Sequence, residues 1–288
     1  MSGTAGAART GRLLPMALAL AAILLWGFLA LLSSRLSALP PLLTAGLALS
    51  IGGLIGLVRA RDWKVAISTL GVGVGGLFGY HFLLFTAFRH APTVEANLIN
   101  YLWPLLIVLL SPVVLPGYAL GVRHVIGACA GLAGAGLIAT GGSLHPDLAH
   151  VGGYCAAAGA ALTWALYSLL TKRLPPFPSG AVGAFCLCSG VLALGAYLLQ
   201  AGPSGFTVIR AGDWPFLILL GAGPMGAAFF FWDASLKRGD PRLIGSLSYL
   251  TPLLSTLALV ALGGKPFTVL SGVAMALIIA GAVVGSRK

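Results

Sequence analysis

Asn100-Tyr-Leu-Trp-Pro-Leu-Leu106 lies inside a long apolar run, and Ser248-Tyr-Leu-Thr-Pro-Leu-Leu254 repeats its Tyr-Leu-x-Pro-Leu-Leu order 148 residues later. A proline this deep in an apolar helix removes one backbone donor and frees a carbonyl. In hydrocarbon, such groups need a partner from neighbouring protein or a wet cavity. Pro104 and Pro252 are therefore expected to kink their helices and to point inward rather than toward lipid. Interrupted helices at matching positions of two halves are the pattern of a transporter whose binding site lies near mid-membrane.

Working outward, the 288 residues are 58% hydrophobic and 8% charged, with a mean hydropathy of +1.00. A soluble domain carries roughly 25% charged residues. The apolar stretches are about 20 residues long and do not alternate with period two, so they require helices rather than a barrel. The expected fold class is an all-α integral membrane protein. Apolar spans fall at 13–32, 39–57, 65–88, 93–115, 122–140, 151–171, 180–199, 214–236, 242–262 and 267–285, ten in all. The first is too long for the core of a cleaved signal peptide, and more spans follow it.

The net charge of +11 would suggest nucleic acid in a soluble protein, but here the basic residues sit in short loops at span ends. With the N-terminus inside, thirteen of the 17 Lys and Arg fall on the cytoplasmic side. Arg35, Arg89, Arg210 and Lys265 fall on the other. This bias predicts N- and C-termini in the cytoplasm. No nucleic-acid partner is expected. Cys129, Cys155, Cys186 and Cys188 lie beside Ala, Gly and Leu and are expected to pack as small hydrophobes. Cys186-Leu-Cys188 has no second pair at zinc spacing, so neither a metal nor a cofactor is expected.

The repeat extends beyond the prolines. Trp26 precedes Arg35-Leu36 as Trp164 precedes Arg173-Leu174, and Asp62-Trp63 is echoed by Asp213-Trp214. Gly127 and Gly136 match Gly272 and Gly281. The organisation expected is a cytoplasmic tail at 1–12, a five-helix repeat at 13–142 and a second at 143–288. Five is odd, so the second copy enters the membrane from the opposite side: ten helices in two inverted-topology repeats. Glycines at small-xxx-small spacing (Gly71, Gly75 and Gly79; Gly52 and Gly56; Gly127 and Gly131; Gly281 and Gly285) predict close helix packing within a monomer. A dimer seam is the alternative.

Polar and aromatic residues deep in spans are the informative minority. At 1.5 Å per residue, Tyr101 and Trp103 lie roughly 12 to 15 Å into their helix, near mid-membrane. Interfacial belts do not account for aromatics at that depth. A cavity for an organic solute does, with rings to stack on and phenol, imidazole and amide groups to orient its polar end. Candidate binding residues are Tyr80, His81, Asn97, Asn100, Tyr101, Trp103, Trp164 and Tyr249. The bland alternative is interhelical packing and hydrogen bonding. His81 is an ionisable side chain well within a span; it binds a substrate carboxylate when protonated, donates a hydrogen bond when neutral, or serves a plain structural hydrogen bond. Glu95 and Asp233 fall near helix ends. There Glu95 offsets the helix dipole and Asp233 stands four residues before Lys237. No nucleophile elbow, phosphate loop or zinc-protease motif occurs.

Trp26, Ala87-Phe88-Arg89, Pro104, Pro252 and Ala234-Ser-Leu-Lys-Arg-Gly239, set in two five-helix halves, resemble the drug/metabolite transporter superfamily, EamA type. Gly79-Tyr-His-Phe82 and Asn100-Tyr-Leu-Trp-Pro104 are similar to its bacterial aromatic amino acid exporters. The resemblance covers nearly the whole chain. It implies export of Phe, Tyr, Trp and some other neutral amino acids by a non-enzymatic transporter, and Tyr80, His81, Tyr101, Trp103 and Trp164 as cavity residues. Leu115-Pro-Gly117 departs from the acidic residue that many repeats carry there. Other readings left open are export of a purine, a threonine-like amino acid or a cationic drug, a lipid-modifying enzyme, and an assembly subunit.

Overall fold

The computed structural model describes residues 3–140, 148–263 and 268–286; Lys265, Arg287 and Lys288, used above in the charge count, lie outside them. Fourteen α-helices follow in order: α1 (Gly3–Gly27), α2 (Leu29–Arg35), α3 (Pro41–Ile55), α4 (Ile67–His90), α5 (Thr93–Asn100), α6 (Leu102–Val114), α7 (Val122–Thr140), α8 (Val151–Arg173), α9 (Val182–Ala201), α10 (Trp214–Ala222), α11 (Ala228–Arg238), α12 (Pro241–Leu247), α13 (Leu250–Gly263) and α14 (Val269–Ser286). Among the described residues there is no strand. Consecutive helices merge into eight stretches long and apolar enough to cross a membrane, from Leu13–Arg35 to Pro241–Leu262. Val122–Leu137 and Val269–Gly285 are shorter apolar helices. α1 begins at Gly3, so the segment 1–12 expected as a tail is largely helical.

Both proline stretches break where the missing donor predicts. α5 gives way to α6 at Tyr101, three residues before Pro104, and α12 to α13 at Ser248-Tyr249, just before Pro252. Both prolines are buried. Two further interruptions were not singled out in the sequence, and of these only the second holds a proline, Pro224. The first span breaks at Phe28, and α10 passes to α11 through a π-helical turn, Gly223–Ala227.

The helices pair as though the halves could be exchanged. α7 packs along α14 and α3 along α9, while α4 on α8 is answered by α1 on α11. Glycine permits the closest of these approaches. A Cβ at Gly127 would stand 2.6 Å from the Gly281 carbonyl oxygen, and one at Gly281 would stand 2.6 Å from that of Gly127. The expected face Gly71, Gly75, Gly79 is a correction. Gly71 and Gly75 meet nothing, whereas Gly73 and Gly76 pack under Phe185 and Tyr167. In a bilayer the outward face is as apolar as the core, so spacing alone does not say which glycine row turns inward. The same reason corrects the cysteines: Cys186 is buried, but Cys129, Cys155 and Cys188 are exposed.

Candidate substrate cavity

A cavity of about 510 Å³ lies between the halves. At its floor Trp26, Trp103 and Trp164 line the space, and Trp232 packs fully buried behind them. Trp26 and Trp103 come from the first half and Trp164 and Trp232 from the second, and every pair of the four has centroids within 6.5 Å. Trp103 meets Trp26, Trp164 and Trp232 edge-on, at 80°, 80° and 85°, the arrangement ring quadrupoles prefer. Two indole N–H groups fix the cluster. Trp232 donates to Ser168 Oγ at 3.0 Å, and Trp26 donates across the halves to the Pro224 carbonyl at 3.0 Å. Pro224 stands in the π-turn, which presents a backbone oxygen that a regular helix would tie up; such turns recur at functional sites.

Above the floor stand the polar groups. Asn100 Nδ2 donates to the Tyr80 hydroxyl at 3.3 Å, while Asn100 Oδ1 is buried without a partner. His81 Nδ1 lies 2.7 Å from the Leu77 carbonyl. A carbonyl only accepts, so Nδ1 carries a proton, and in the neutral ring Nε2 is then the acceptor. Asn97, Tyr101, Thr251 and Ser255 also line the wall, and Thr251 Oγ1 is another buried group without a partner. Toward the α2–α3 and α4–α5 connections the wall consists of Ser37, Leu39, Pro41, Phe88 and Thr93, which form the mouth. Among the described residues, no Asp, Glu, Lys or Arg lines the cavity.

Seven of the eight candidate residues line this cavity: Tyr80, His81, Asn97, Asn100, Tyr101, Trp103 and Trp164. Tyr249 does not. It is fully buried, packs against Gly131 and hydrogen-bonds to the Tyr101 backbone. Trp26, Phe229, Met225 and Thr251 join the wall without having been singled out as binding residues. Thr251 had a signal in the sequence, since it occupies in the second Tyr-Leu-x-Pro stretch the place Trp103 holds in the first.

The end opposite the mouth is tied shut by polar contacts. Lys172 Nζ donates to the Leu236 and Gly239 carbonyls at 2.7 Å each, capping the C-terminus of α11. Tyr118, placed by the turn at Pro116-Gly117, lies under Lys172 and Arg242 at 5.9 and 5.3 Å. Arg242 also donates to the Ala119 carbonyl, and Ser235 to the Pro15 carbonyl at 2.8 Å. Asp233 and Lys237 form the expected i,i+4 pair at 2.7 Å. Asp233 is nonetheless 1% exposed and stands in the middle of α11, which corrects the reading of it as a helix-end residue. Glu95 sits in the first turn of α5, where an anion suits the helix dipole.

Residues 13–140 and again 151–287 match the EamA-like transporter family. The chain belongs to that family. The aromatic amino acid exporter YddG of Ancylobacter novellus is 43% identical over 92% of this chain and 94% of its own. The uncharacterized transporter YyaM of Bacillus subtilis is 23% identical over 80% and 76%. A crystal structure 40% identical in sequence superposes with a TM-score of 0.89, over 96% of this chain and 97% of that one. As an EamA-like transporter with eight long apolar helices, the protein is a multi-pass protein of the bacterial inner membrane.

Proposed function

We propose that this protein exports aromatic, and some other neutral, amino acids across the inner membrane by alternating access. Ten membrane-spanning helices form two inverted five-helix halves, 13–142 and 143–288, with both termini in the cytoplasm. The exchangeable helix pairing and the twofold family match support the repeat. The excess of Lys and Arg in alternate loops supports the orientation. In that frame the cavity opens outward, and the Lys172, Tyr118 and Arg242 contacts close the cytoplasmic side.

One observation carries the substrate class: a space of about 510 Å³ walled by indole and phenol rings and by uncharged polar groups, with no Asp, Glu, Lys or Arg of the described residues in its wall. Pockets of roughly 300 to 1,000 Å³ enclose small organic ligands. A zwitterion with an aromatic side chain is neutral overall and matches both features. Its ring packs against Trp103, Trp164 and Tyr80, face to one and edge to the next, because Trp103 and Trp164 stand at 80°. Its ammonium donates to Asn100 Oδ1, His81 Nε2 and Thr251 Oγ1. Its carboxylate accepts from the Tyr80 and Tyr101 hydroxyls; Tyr80 already accepts from Asn100 and keeps its own proton to donate. A cationic drug would find no carboxylate in the wall. The name of the Ancylobacter relative favours the same substrates.

The test is reconstitution into liposomes loaded with labelled amino acids. Efflux of phenylalanine or tryptophan, well above that of lysine and glutamate, is the expected result. No flux of any amino acid would refute the reading.

A further inference from the structure

Beside the central cavity lies a second one, of about 450 Å³, between the ends of α3, α4 and α9. Pro41, Phe85 and Phe88 stand in the walls of both cavities. Its inner surface is apolar, and Phe82, which is 40% exposed, opens it toward the outside of the bundle. At its rim Arg89 reaches from α4 to α9, donating to Gln200 Oε1 at 2.7 Å. The other donors of the guanidinium meet no carboxylate among the described residues, whose ion pairs are Lys237–Asp233 and Arg242–Asp240.

On the topology proposed above, Arg89 is one of four basic residues on the side that the charge bias leaves poor in cations. Orientation therefore does not account for it. It lies in the last turn of α4, which on that topology puts it near the membrane surface, over an apolar slot whose exposed Phe82 faces out of the bundle. We propose that this slot binds an anionic phospholipid of the outer leaflet, the phosphate on Arg89 and the upper acyl chain between Phe82, Phe85 and Leu42. Three observations favour a lipid over a free anion: the apolar depth of the slot, its opening at Phe82, and the position of the charge at its rim only. Because Phe85 and Phe88 also wall the central cavity, an acyl chain in the slot braces the substrate mouth.

Native mass spectrometry of the delipidated full-length protein, titrated with phosphatidylglycerol or phosphatidylcholine of identical chains, tests this. The first phosphatidylglycerol should bind more tightly than phosphatidylcholine. Arg89→Gln should weaken it about fivefold, the effect of one cation at a lipid surface, and Arg89→Lys should retain the preference. Leu42→Trp, which fills the slot, should weaken both lipids alike. Unchanged phosphatidylglycerol binding in Arg89→Gln overturns the assignment; should that variant not fold, unchanged binding in Leu42→Trp does so. Displacement of the lipid by phenylalanine in a Trp103→Ala background would also overturn it, assigning the slot to the transported solute. The lipid readout needs no transport, so it stands or falls separately from the liposome assay.

Discussion

The hydroxyl of Tyr249 donates a 3.2 Å hydrogen bond to the backbone carbonyl of Tyr101, its own counterpart 148 residues earlier. Each tyrosine marks the break three residues before a proline, so one broken helix supplies the partner that the other's disturbed backbone needs. The equivalence ends there. Tyr101 lines the cavity, whereas Tyr249 is sealed in the core. Tyr249→Phe should cost about 1 kcal/mol of stability, seen as a lower melting temperature in detergent, with substrate affinity unchanged because the ring never meets substrate.

Trp103→Ala removes a ring from the cavity wall. Taking the stacking of bases on aromatic side chains as a guide, it should cost about 1 to 3 kcal/mol of tryptophan binding. Equilibrium binding to the purified protein checks this; unchanged affinity would place Trp103 outside the substrate site.

Thr251→Val should move binding and stability in opposite directions. The free protein loses a buried hydroxyl that has no partner, so it should melt no lower than the parent. Amino acid binding should weaken by about 1 kcal/mol as one hydrogen bond is lost. Paired melting and binding measurements on the variant separate these effects.

Glycine substitutions should divide by helix face. Gly76→Leu would drive a side chain into Tyr167 and should cost at least about 1 to 3 kcal/mol, while Gly75→Leu, one residue away, meets open space. Yield of folded protein after detergent extraction should fall for the first and hold for the second.

Asp240 caps α12 through the Arg242 N–H at 2.9 Å and pairs with the Arg242 guanidinium. Burial opposes its ionisation, but the Arg242 hydrogen bonds outweigh burial and hold the carboxyl below its ordinary value. A depressed pKa contributes stability above the unfolded value, and that contribution is lost as pH falls through the folded one. The melting temperature of the parent should therefore exceed that of Asp240→Asn by a constant margin near neutrality, and the margin should vanish as pH falls below about 4. Asparagine still caps a helix, so the margin reports the charge.

The all-helical class, eight long apolar spans, the two broken helices and seven of the cavity residues were legible in the sequence because each rests on a local rule. Apolar length, a missing donor, and polar groups too deep for an interface are all visible one stretch at a time. The fate of Tyr249 was not, because a helix restarted after a break has a new phase, and residues at equal positions in two repeats then face different ways. The π-turn at Gly223–Ala227 carried a local signal that went unread, a Gly-Pro inside an apolar helix, whereas the break at Phe28 has no Pro or Gly after it to mark it. Inward and outward glycines were indistinguishable because lipid and protein interior are equally apolar.

The four-indole cluster at and behind the cavity floor takes two members from each half, at separations where their electronic transitions mix. Rotating one half against the other must pull these rings apart. The exciton couplet of such a cluster in near-ultraviolet circular dichroism would then rise and fall with each turnover, giving the unlabelled protein an optical readout of its own cycle.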